Sequence, residues 1–375
     1  MIAFFKKILA KVVDVLPIKK LILFESCPDF SDNTKSVFDE LVSRHINEQY
    51  KFVWICFDQS DTFRHQRKNV SSIFVKKQKL KYFFLSHTAK MVVCCNRFIG
   101  SGRKGQTILY LMHGVPMKDT SGYYTVPSKV NWMIVPSPQI SKECSYYANC
   151  PIEKCVPLGY PRNDCLISSH IDLAGLFGNY KKYIVWYPTV KQFIGGRTTG
   201  SIQPIPLIYN EDNCEKLNEC AKQEEVLIII KPHFAQIPQL IKKMKNSNIV
   251  FIDDDYFLSK GIKSYEFVAS CDALITDYSS IYFDYTLCDK PICLVWEDIE
   301  DYKKNPGLIE NFEELTIGGE KVFDIDGLND FIRRVSNSQD LLRVERNTIC
   351  NRVHAYRDGQ SSSRVSDFIV NKLKD

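Results

Sequence analysis

The chain has 375 residues, of which 45% are hydrophobic and 12% aromatic, so it can bury a large core and we predict two globular domains. Its 49 basic and 44 acidic residues leave a net charge of +5, a mild excess that disfavours a nucleic-acid-binding protein, because such proteins usually present a concentrated basic face. The 14 cysteines show no C-x-x-C pair or other metal-ligand spacing, which indicates reduced, structural thiols in a cytoplasmic protein.

The first predicted element is an amphipathic helix over residues 1–18. Its apolar side chains share one face, opposite Lys7 and Lys11. The segment lacks the cleavage site of a signal peptide and is shorter than the about 20 apolar residues that cross a bilayer. Two interpretations remain open: the helix lies in an anionic membrane surface, which Lys19 and Lys20 favour, or it packs against the first domain.

Short apolar runs then alternate with longer amphipathic segments, a pattern typical of parallel sheets with crossover helices. The runs that predict strands are KLILFES, FVWICF, SIFV, MVVCC, TILYL and WMIVP, followed by KYIVWYP, EVLIIIKPH, NIVFID, DALITD and PICLVW. The fold class is therefore α/β, and a polar stretch near 168–182 separates the two series. We predict Rossmann-like domains at 19–170 and 183–345 and a C-terminal helical segment at 346–375.

His113 is the first candidate site residue. Two doubly wound domains bind ligands in the cleft between them, at the carboxyl ends of their strands. His113 follows the strand run TILYLM and opens the loop HGVPMKD. A histidine with an ordinary pKa of about 6.5 suits proton abstraction from a hydroxyl. The alternative is a structural histidine that is bonded to a nearby carbonyl.

Lys231 and His233 occupy a similar position in the second half, where KPHF follows VLIII. Both side chains can donate hydrogen bonds to phosphate oxygens, so an anion site is indicated.

The stretch DALITDYSSIYFDY predicts a second anion site, because a helix that starts near Ser279 has four N–H groups without intrahelical partners. Its dipole places partial positive charge at the same end. Ser279, Ser280 and Thr276 would add hydroxyl donors to a bound diphosphate. The alternative is an ordinary N-cap, formed by Asp277 or Ser279, that binds nothing.

Two further loops carry basic residues. The sequence LGYPRND places Arg162 between turn residues, where we expect it to be exposed, and YPTVKQFIGGRTTG places Lys191 on a glycine-rich loop. Both are candidate substrate-binding residues. Plain turn chemistry, or in the second case a mobile lid, explains the same residues.

An ordered series of eight motifs carries a family resemblance. FESCPDFSDN, HGVPMKD, LGYPRND, YPTVK, KPH, TDYSSIYFDY, NPGL and DG before SSSR resemble the motifs of the CDP-glycerol glycerophosphotransferase family, bacterial enzymes that prime and polymerise wall teichoic acids and related capsules. The series runs from Phe24 to Arg364. Single motifs are loose, but eight in order are specific.

The resemblance implies a GT-B fold with two Rossmann-like domains that face a central cleft, the C-terminal one binding the donor. It implies transfer of glycerol phosphate, or a related alditol phosphate, from a CDP-alditol to a hydroxyl of a lipid-linked or oligosaccharide acceptor, with release of CMP. The implied location is the inner face of the cell membrane, with an anionic surface as partner. No cofactor is implied, although Mg²⁺ could accompany the diphosphate.

The resemblance also implies roles for individual residues. His113 resembles the base that activates the acceptor hydroxyl, and His233 resembles a second essential histidine that contacts the donor phosphates. Thr276, Ser279 and Ser280 resemble the residues that hold the diphosphate, while the role of Asp277 in this motif stays open.

The chain departs from the family pattern at three motifs. Val115 replaces the more frequent Thr, Phe234 replaces a Pro, and PTVK replaces PTWR. The donor alditol and the acceptor therefore stay open. Two rival functions also remain: a GT-B glycosyltransferase or epimerase that uses a nucleotide sugar, and a non-catalytic module that binds the polymer.

Overall fold

The structure is a computed structural model. It describes residues 15–57, 67–189, 205–232, 247–305 and 307–374. Most of the helix predicted over residues 1–18 lies outside these ranges, and so do Lys191 and His233.

The strands of the described residues form two sheets, and every strand pairing in them is parallel. The first sheet consists of β1 (Lys19–Glu25), β2 (Lys51–Cys56), β3 (Val70–Phe74), β4 (Ala89–Cys94), β5 (Thr107–Tyr110), β6 (Trp132–Val135) and β7 (Cys155–Pro157). The second consists of β8 (Lys182–Trp186), β9 (Val226–Ile230), β10 (Ile249–Phe251), β11 (Ala273–Thr276), β12 (Ile292–Val295) and β13 (Glu320–Val322).

The two sheets share one strand order. The first reads β3-β2-β1-β4-β5-β6-β7 and the second β10-β9-β8-β11-β12-β13, which is the doubly wound order 3-2-1-4-5-6 of Rossmann folds. The strand order reverses between β1 and β4, and again between β8 and β11. Ligands of open α/β sheets bind outside the carboxyl ends of the strands at such a reversal, the switch point. The predicted fold class, α/β with two Rossmann-like domains, is confirmed.

The helices connect or cover the strands. In chain order they are α1 (Asp32–Ser43), α2 (Lys79–Thr88), α3 (Ser141–Tyr147), α4 (Asp164–Ser168), α5 (Leu173–Phe177), α6 (Glu211–Gln223), α7 (Asp254–Lys260), α8 (Ser264–Ser270), α9 (Ile281–Tyr285), α10 (Ile299–Lys304), α11 (Phe312–Leu315), α12 (Ile325–Ser336), α13 (Arg343–Val353) and α14 (Ser361–Lys374). No helix in the described ranges is both long and apolar enough to span a membrane.

Burial on both faces explains the composition of the central strands. All five residues of β9 are buried, as expected for a strand of a parallel sheet that helices cover on both sides. In the second sheet, apolar residues of α6 and α12 join the strands in one hydrophobic core. In the first sheet, α1 and α14 do the same. Each sheet thus has its own core.

The chain divides into two compact units, and this division differs from the sequential one that we predicted. Of the described residues, the first unit contains those within 15–114, 124–164 and 355–374, and the second contains those within 115–123 and 165–354. The C-terminal residues belong to the first unit because Val365 and Ile369 of α14 lie in its hydrophobic core.

Backbone contacts explain why residues 115–123 belong to the second unit. Lys118 pairs with Leu308 in an isolated antiparallel bridge, and the N–H of Ile309 donates to Met117 O at 3.2 Å. A short piece of the HGVPMKD motif is thus anchored on the second unit.

Candidate active site

A buried carboxylate lies at the switch point of the second sheet. Asp277 follows β11 and is 0% exposed. Its oxygens accept the backbone N–H of Thr189 at 2.8 and 3.1 Å and that of Tyr278 at 2.7 Å. The hydroxyl of Thr189 donates to the same carboxylate. Since Thr189 lies after β8, Asp277 joins the loops that follow the two strands on either side of the switch point.

Thr276 makes a second link across the same switch point. Its side chain is fully buried, and its hydroxyl donates to the carbonyl of Tyr187 at 2.8 Å. A hydroxyl carries one proton, and in Thr276 this proton is used between the strand ends.

Ser279 and Ser280 stand at the start of α9. Both are half-buried, and α9 begins at Ile281 with Ser280 as its N-cap. The side chain of Ser280 makes no capping hydrogen bond to the helix. An ordinary N-cap serine would accept such a bond from the first turn. The N-cap is thus Ser280 and not Asp277 or Ser279, the residues that the alternative interpretation named.

Buried aromatic residues hold α9 in place. Tyr285 donates its hydroxyl to Cys271 O at 2.9 Å, and Tyr265 donates to Asp284 Oδ2 at 2.7 Å. Tyr282 accepts the N–H of Gly318 at 3.2 Å. A site whose support is fixed by packing and hydrogen bonds loses little entropy on binding. The tyrosines of the motif YSSIYFDY thus hold the helix that carries the two serines.

Lys231 lies at the carboxyl end of β9, on the same edge of the sheet. Its N–H donates to Trp186 O at 2.9 Å. Its Nζ is 3.1 Å from Asp254 Oδ1 and 5.6 Å from the ring of Tyr187. Asp254 is more than half exposed, whereas the Lys231 side chain is only 16% exposed. The ammonium of Lys231 is thus mostly buried at the strand end and paired there with a carboxylate at the surface.

Lys118 is a cation that the sequence analysis did not select. Its Nζ lies 5.7 Å from the ring of Tyr302, and this ring stacks on Tyr278 at 3.7 Å between centroids. Burial lowers the pKa of Lys118, and the charge of Asp277 opposes part of this shift. The one sequence signal was its place in HGVPMKD, five residues after His113.

His113 belongs to the first unit, where it is exposed after β5. A buried amide holds the backbone before it. The side chain of Asn33 donates to Leu111 O at 3.1 Å and to Met112 O at 2.6 Å. Met112 has a φ of 35° and Gly114 a φ of 157°, values that L side chains rarely adopt. The imidazole is thus carried on a sharply turned and anchored backbone.

Arg162 is part of the support of this turn, and the expectation that it is exposed was wrong. It is 9% exposed. Its Nη1 lies 2.8 Å from Asp32 Oδ1, and its N–H donates to Asn33 Oδ1 at 3.0 Å. The guanidinium is buried because α1 supplies a carboxylate for it. Arg162 therefore fixes Asn33, and Asn33 fixes the backbone next to His113.

The switch point of the first sheet holds another buried carboxylate. Glu25, at the end of β1, is 0% exposed. Its Oε2 accepts the N–H groups of Cys95, Asn96 and Arg97 at 3.3, 3.1 and 2.8 Å. Burial raises the pKa of Glu25, and these N–H groups together with the Arg97 charge oppose the shift. Consecutive N–H groups of this kind form an anion-binding concavity, and here the protein's own carboxylate fills it.

The predicted site residues thus fall into two groups. The second unit brings Thr276, Asp277, Ser279, Ser280 and Lys231 to one edge of its sheet, while His113 and Arg162 lie in the first unit. Within the described ranges, no group of three or more His, Cys, Asp or Glu side chains could hold a metal ion.

A protein-family model and several characterised bacterial proteins are similar to this chain. A family model described as CDP-Glycerol:Poly(glycerophosphate) glycerophosphotransferase matches residues 8–371. The chain is 26% identical over 266 residues to the teichoic acid ribitol-phosphate primase of Bacillus spizizenii strain W23, which covers 69% of this chain and 64% of the primase, less than two thirds of its length. It is 24% identical over 397 residues to the teichoic acid glycerol-phosphate transferase of Staphylococcus aureus strain NCTC 8325, which covers 96% of this chain and 95% of that protein.

A solved structure resembles the whole chain. The structure of the wall teichoic acid polymerase TagF matches it with a TM-score of 0.76 at 21% identity, and the match covers 100% of this chain and 95% of that one. This likeness confirms the GT-B type of the fold.

Proposed function

Since this chain belongs to the CDP-glycerol:poly(glycerophosphate) glycerophosphotransferase family, we propose that it transfers an alditol phosphate from a CDP-alditol to an acceptor hydroxyl and releases CMP. The observation that carries the proposal is the edge of the second sheet at its switch point. Two half-buried serines directly precede α9 there, the side chain of the capping serine makes no hydrogen bond to the helix, and Lys231 lies on the same edge. Hydroxyls, a helix N-terminus and a lysine are the groups that bind a diphosphate.

The proposed reaction is an in-line displacement at the alditol-side phosphorus. The acceptor oxygen forms a bond to this phosphorus, and the bond from the phosphorus to the bridging oxygen breaks, so that CMP leaves with that oxygen. The proton of the acceptor hydroxyl passes to the ring of His113. Lys231, Ser279 and Ser280 bind the negative charge on the departing phosphate, and preorganised donors of this kind lower the barrier.

His233 and Lys191 keep the roles that the sequence suggested. We propose that His233, two residues after Lys231, contacts the donor phosphates and that Lys191 contacts substrate. The proposal for Arg162 changes, because its buried pair with Asp32 makes it a support of His113 in the free protein.

Replacement of His113 tests the proposed base. We expect His113→Ala to lower kcat about 10²- to 10⁴-fold, the usual contribution of a general base, with little change in donor affinity. His170→Ala is the matched control, because His170 is also an exposed loop histidine, and it should leave kcat unchanged. Near-normal turnover by His113→Ala would sink the base assignment.

A donor panel tests the reaction class. Purified protein is given CDP-glycerol, CDP-ribitol or a UDP-sugar, together with a lipid-linked or oligosaccharide acceptor. The proposal expects CMP from at least one CDP-alditol. Release of a nucleoside diphosphate from the UDP-sugar alone would support the glycosyltransferase or epimerase alternative. Absence of any nucleotide product would support the non-catalytic alternative.

We further propose that the acceptor is lipid-linked and that the protein binds the inner, anionic face of the membrane. Positive charge is concentrated in one part of the sequence, since residues 62–118 contain no Asp or Glu. Near the start of α2 an exposed basic face combines lysines with two apolar side chains, Leu80 at 69% and Phe84 at 41% exposure. The lysines of this basic face are Lys76, Lys77, Lys79 and Lys81. Anionic lipids attract each such lysine by about 1 kcal/mol.

Vesicle binding tests this basic face. The full chain should sediment with vesicles that contain anionic phosphatidylglycerol and not with neutral phosphatidylcholine vesicles. The double variant Leu80→Ser and Phe84→Ser should lose most of this binding. The matched control is Leu341→Ser with Val344→Ser, which removes two apolar side chains that are 61% and 75% exposed in the second unit. Equal binding by both double variants would exclude the basic face as the membrane contact.

A further inference from the structure

Lys118 has a backbone fixed on the second unit, although it lies in the half of the sequence that builds the first. Its bridge to Leu308 is flanked by two hydrogen bonds, from Ile309 N to Met117 O at 3.2 Å and from Asp119 N to Gly307 O at 3.1 Å. The segment is thus bound along its length to the NPGL loop. The side chain of Lys118 therefore starts from a defined position.

The side chain of Lys118 is placed next to the end of β11. Its ammonium lies 5.7 Å from the ring of Tyr302, a distance typical of a cation–π contact. Tyr302 stacks on Tyr278 with an interplanar angle of 14°, and Tyr278 directly follows Asp277. The hydroxyl of Tyr278 is held by Asp298 at 3.0 Å. The ammonium thus rests on a rigid pair of rings beside the proposed diphosphate site.

The charge balance at this edge calls for a cation. Asp277 places a buried negative charge two residues before Ser279, where a diphosphate would be repelled. Thr189 and Tyr278 already donate hydrogen bonds to this carboxylate, but these donors carry no net charge. A lysine neutralises the site and offers three donors. A partly desolvated ammonium also interacts more strongly with an anion than one in water does.

We infer that Lys118 is a donor-binding residue whose ammonium group binds the diphosphate of the CDP-alditol at the carboxyl end of the second sheet. The inference rests on the proposed function. It gives HGVPMKD two tasks in two units: His113 serves the acceptor hydroxyl and Lys118 the donor. Burial, which lowers the pKa of Lys118, supports a site where an anion would compensate the lost solvation.

Binding of three cytidine ligands tests the inference. We expect Lys118→Met to weaken the binding of CDP and CDP-glycerol about tenfold or more, the scale of a lost hydrogen bond between charged groups, and to leave cytidine binding unchanged. Lys118→Arg, which keeps the charge, should recover part of the loss. Lys304→Met is the matched control, because Lys304 is an exposed lysine on α10 of the same unit. A purely structural lysine would weaken cytidine and CDP alike, and this outcome would overturn the inference.

A measurement on the unmutated protein tests the inference even if the Lys118 variants do not fold. A limiting amount of an amine-acylating reagent modifies Lys118, and peptide mass spectrometry measures the extent. CDP should protect Lys118 while a saturating concentration of cytidine does not. Equal modification with both ligands would overturn the inference and leave the proposed function intact. A protein that binds no CDP-alditol at all would instead overturn the proposed function, and the inference with it.

Discussion

The two switch points show how one topology can hold a buried carboxylate in two ways. Both sheets have the same strand order, and each places a fully buried carboxylate at the reversal. In the first sheet Glu25 lies at the end of the first strand and accepts three successive N–H groups from the loop after β4. In the second sheet Asp277 follows the strand that corresponds to β4 and reaches back to the loop after β8.

This difference is the reason that we propose a phosphate site at the second switch point and not at the first. Three consecutive N–H groups beside Arg97 would attract an anion, but the carboxylate of Glu25 occupies them. In the second sheet the carboxylate accepts N–H groups of Thr189 and Tyr278, and we propose that the serines after it bind the donor phosphates. An internal carboxylate and a bound phosphate cannot occupy the same N–H groups, so the proposal depends on where each sheet places its acidic residue.

The largest expected change in stability follows removal of Glu25. Glu25→Ala removes the carboxylate that accepts the N–H groups of Asn96 and Arg97 and pairs with the Arg97 guanidinium, while the N–H of Cys95 keeps the backbone carbonyl of Glu25 as acceptor. This loss should lower the free energy of unfolding by about 3–5 kcal/mol. Added formate or acetate, or phosphate, should recover part of this loss by entering the vacated concavity, as thermal unfolding with each anion would measure. Equal effects of these anions on wild type and Glu25→Ala would show that the Glu25 carboxylate does not fill an anion-binding concavity.

Glu25 also predicts a pH dependence. Burial raises its pKa in the folded protein above the usual value of 4.5. Between these two pKa values the folded chain binds more protons than the unfolded one, so this contribution to stability is complete below pH 4.5 and is lost as the pH rises through the folded pKa. Glu25→Gln should remove it. As the pH falls over this range, urea unfolding should therefore show the unfolding free energy of the wild type rising relative to that of Glu25→Gln.

Asp277→Asn is expected to have the next largest effect. The amide group that replaces one carboxylate oxygen is a donor and meets the donors of Thr189 or Tyr278, which should cost about 2–4 kcal/mol of unfolding free energy. Asp301→Asn is the control, since Asp301 is exposed. If the two variants are equally stable by urea unfolding, the carboxylate is not the link between β8 and β11.

Thr276→Val should have a smaller effect on stability. It removes the hydrogen bond to Tyr187 O and leaves a carbonyl without this donor, at a cost of about 1–2 kcal/mol. Because the hydroxyl proton is already used between the strand ends, we expect donor affinity to change less than in serine variants of α9. Calorimetric titration with CDP-glycerol measures this, and a larger loss of affinity in Thr276→Val would favour the diphosphate role that the resemblance implies.

The double variant Ser279→Ala and Ser280→Ala should affect stability least. Its unfolding free energy should stay within about 0.5 kcal/mol of wild type, as for substitutions away from special structural features, because Ser280 makes no capping bond. Its affinity for CDP-glycerol should fall about tenfold, as expected when hydrogen bonds to a charged group are lost. Unchanged donor affinity in a folded double variant would remove the serines from the proposed diphosphate site.

The pattern of apolar residues was sufficient to predict those strands whose formation depends on their own sequence. The apolar runs predicted the core strands of both sheets, because a parallel strand buried on both faces must be continuously apolar. The apolar runs did not predict β7 and β13, each of which is three residues long. In β13, Glu320 and Lys321 carry no apolar pattern, and the strand forms because β12 offers its edge.

The sequence by itself determined the α/β class, the order of the motifs and the positions of His113, Ser279 and Ser280 after their strands. Only the tertiary structure decided which polar groups are already engaged. Arg162 is buried in a pair with Asp32, which lies 130 residues away in the sequence, and Asp277 accepts a hydrogen bond from Thr189, which lies 88 residues away. Hydrogen bonds and charge pairs act through space between groups distant in the chain, so the periodicity of the sequence cannot report them. For the same reason Lys118 became a candidate only when its segment was found on the second unit.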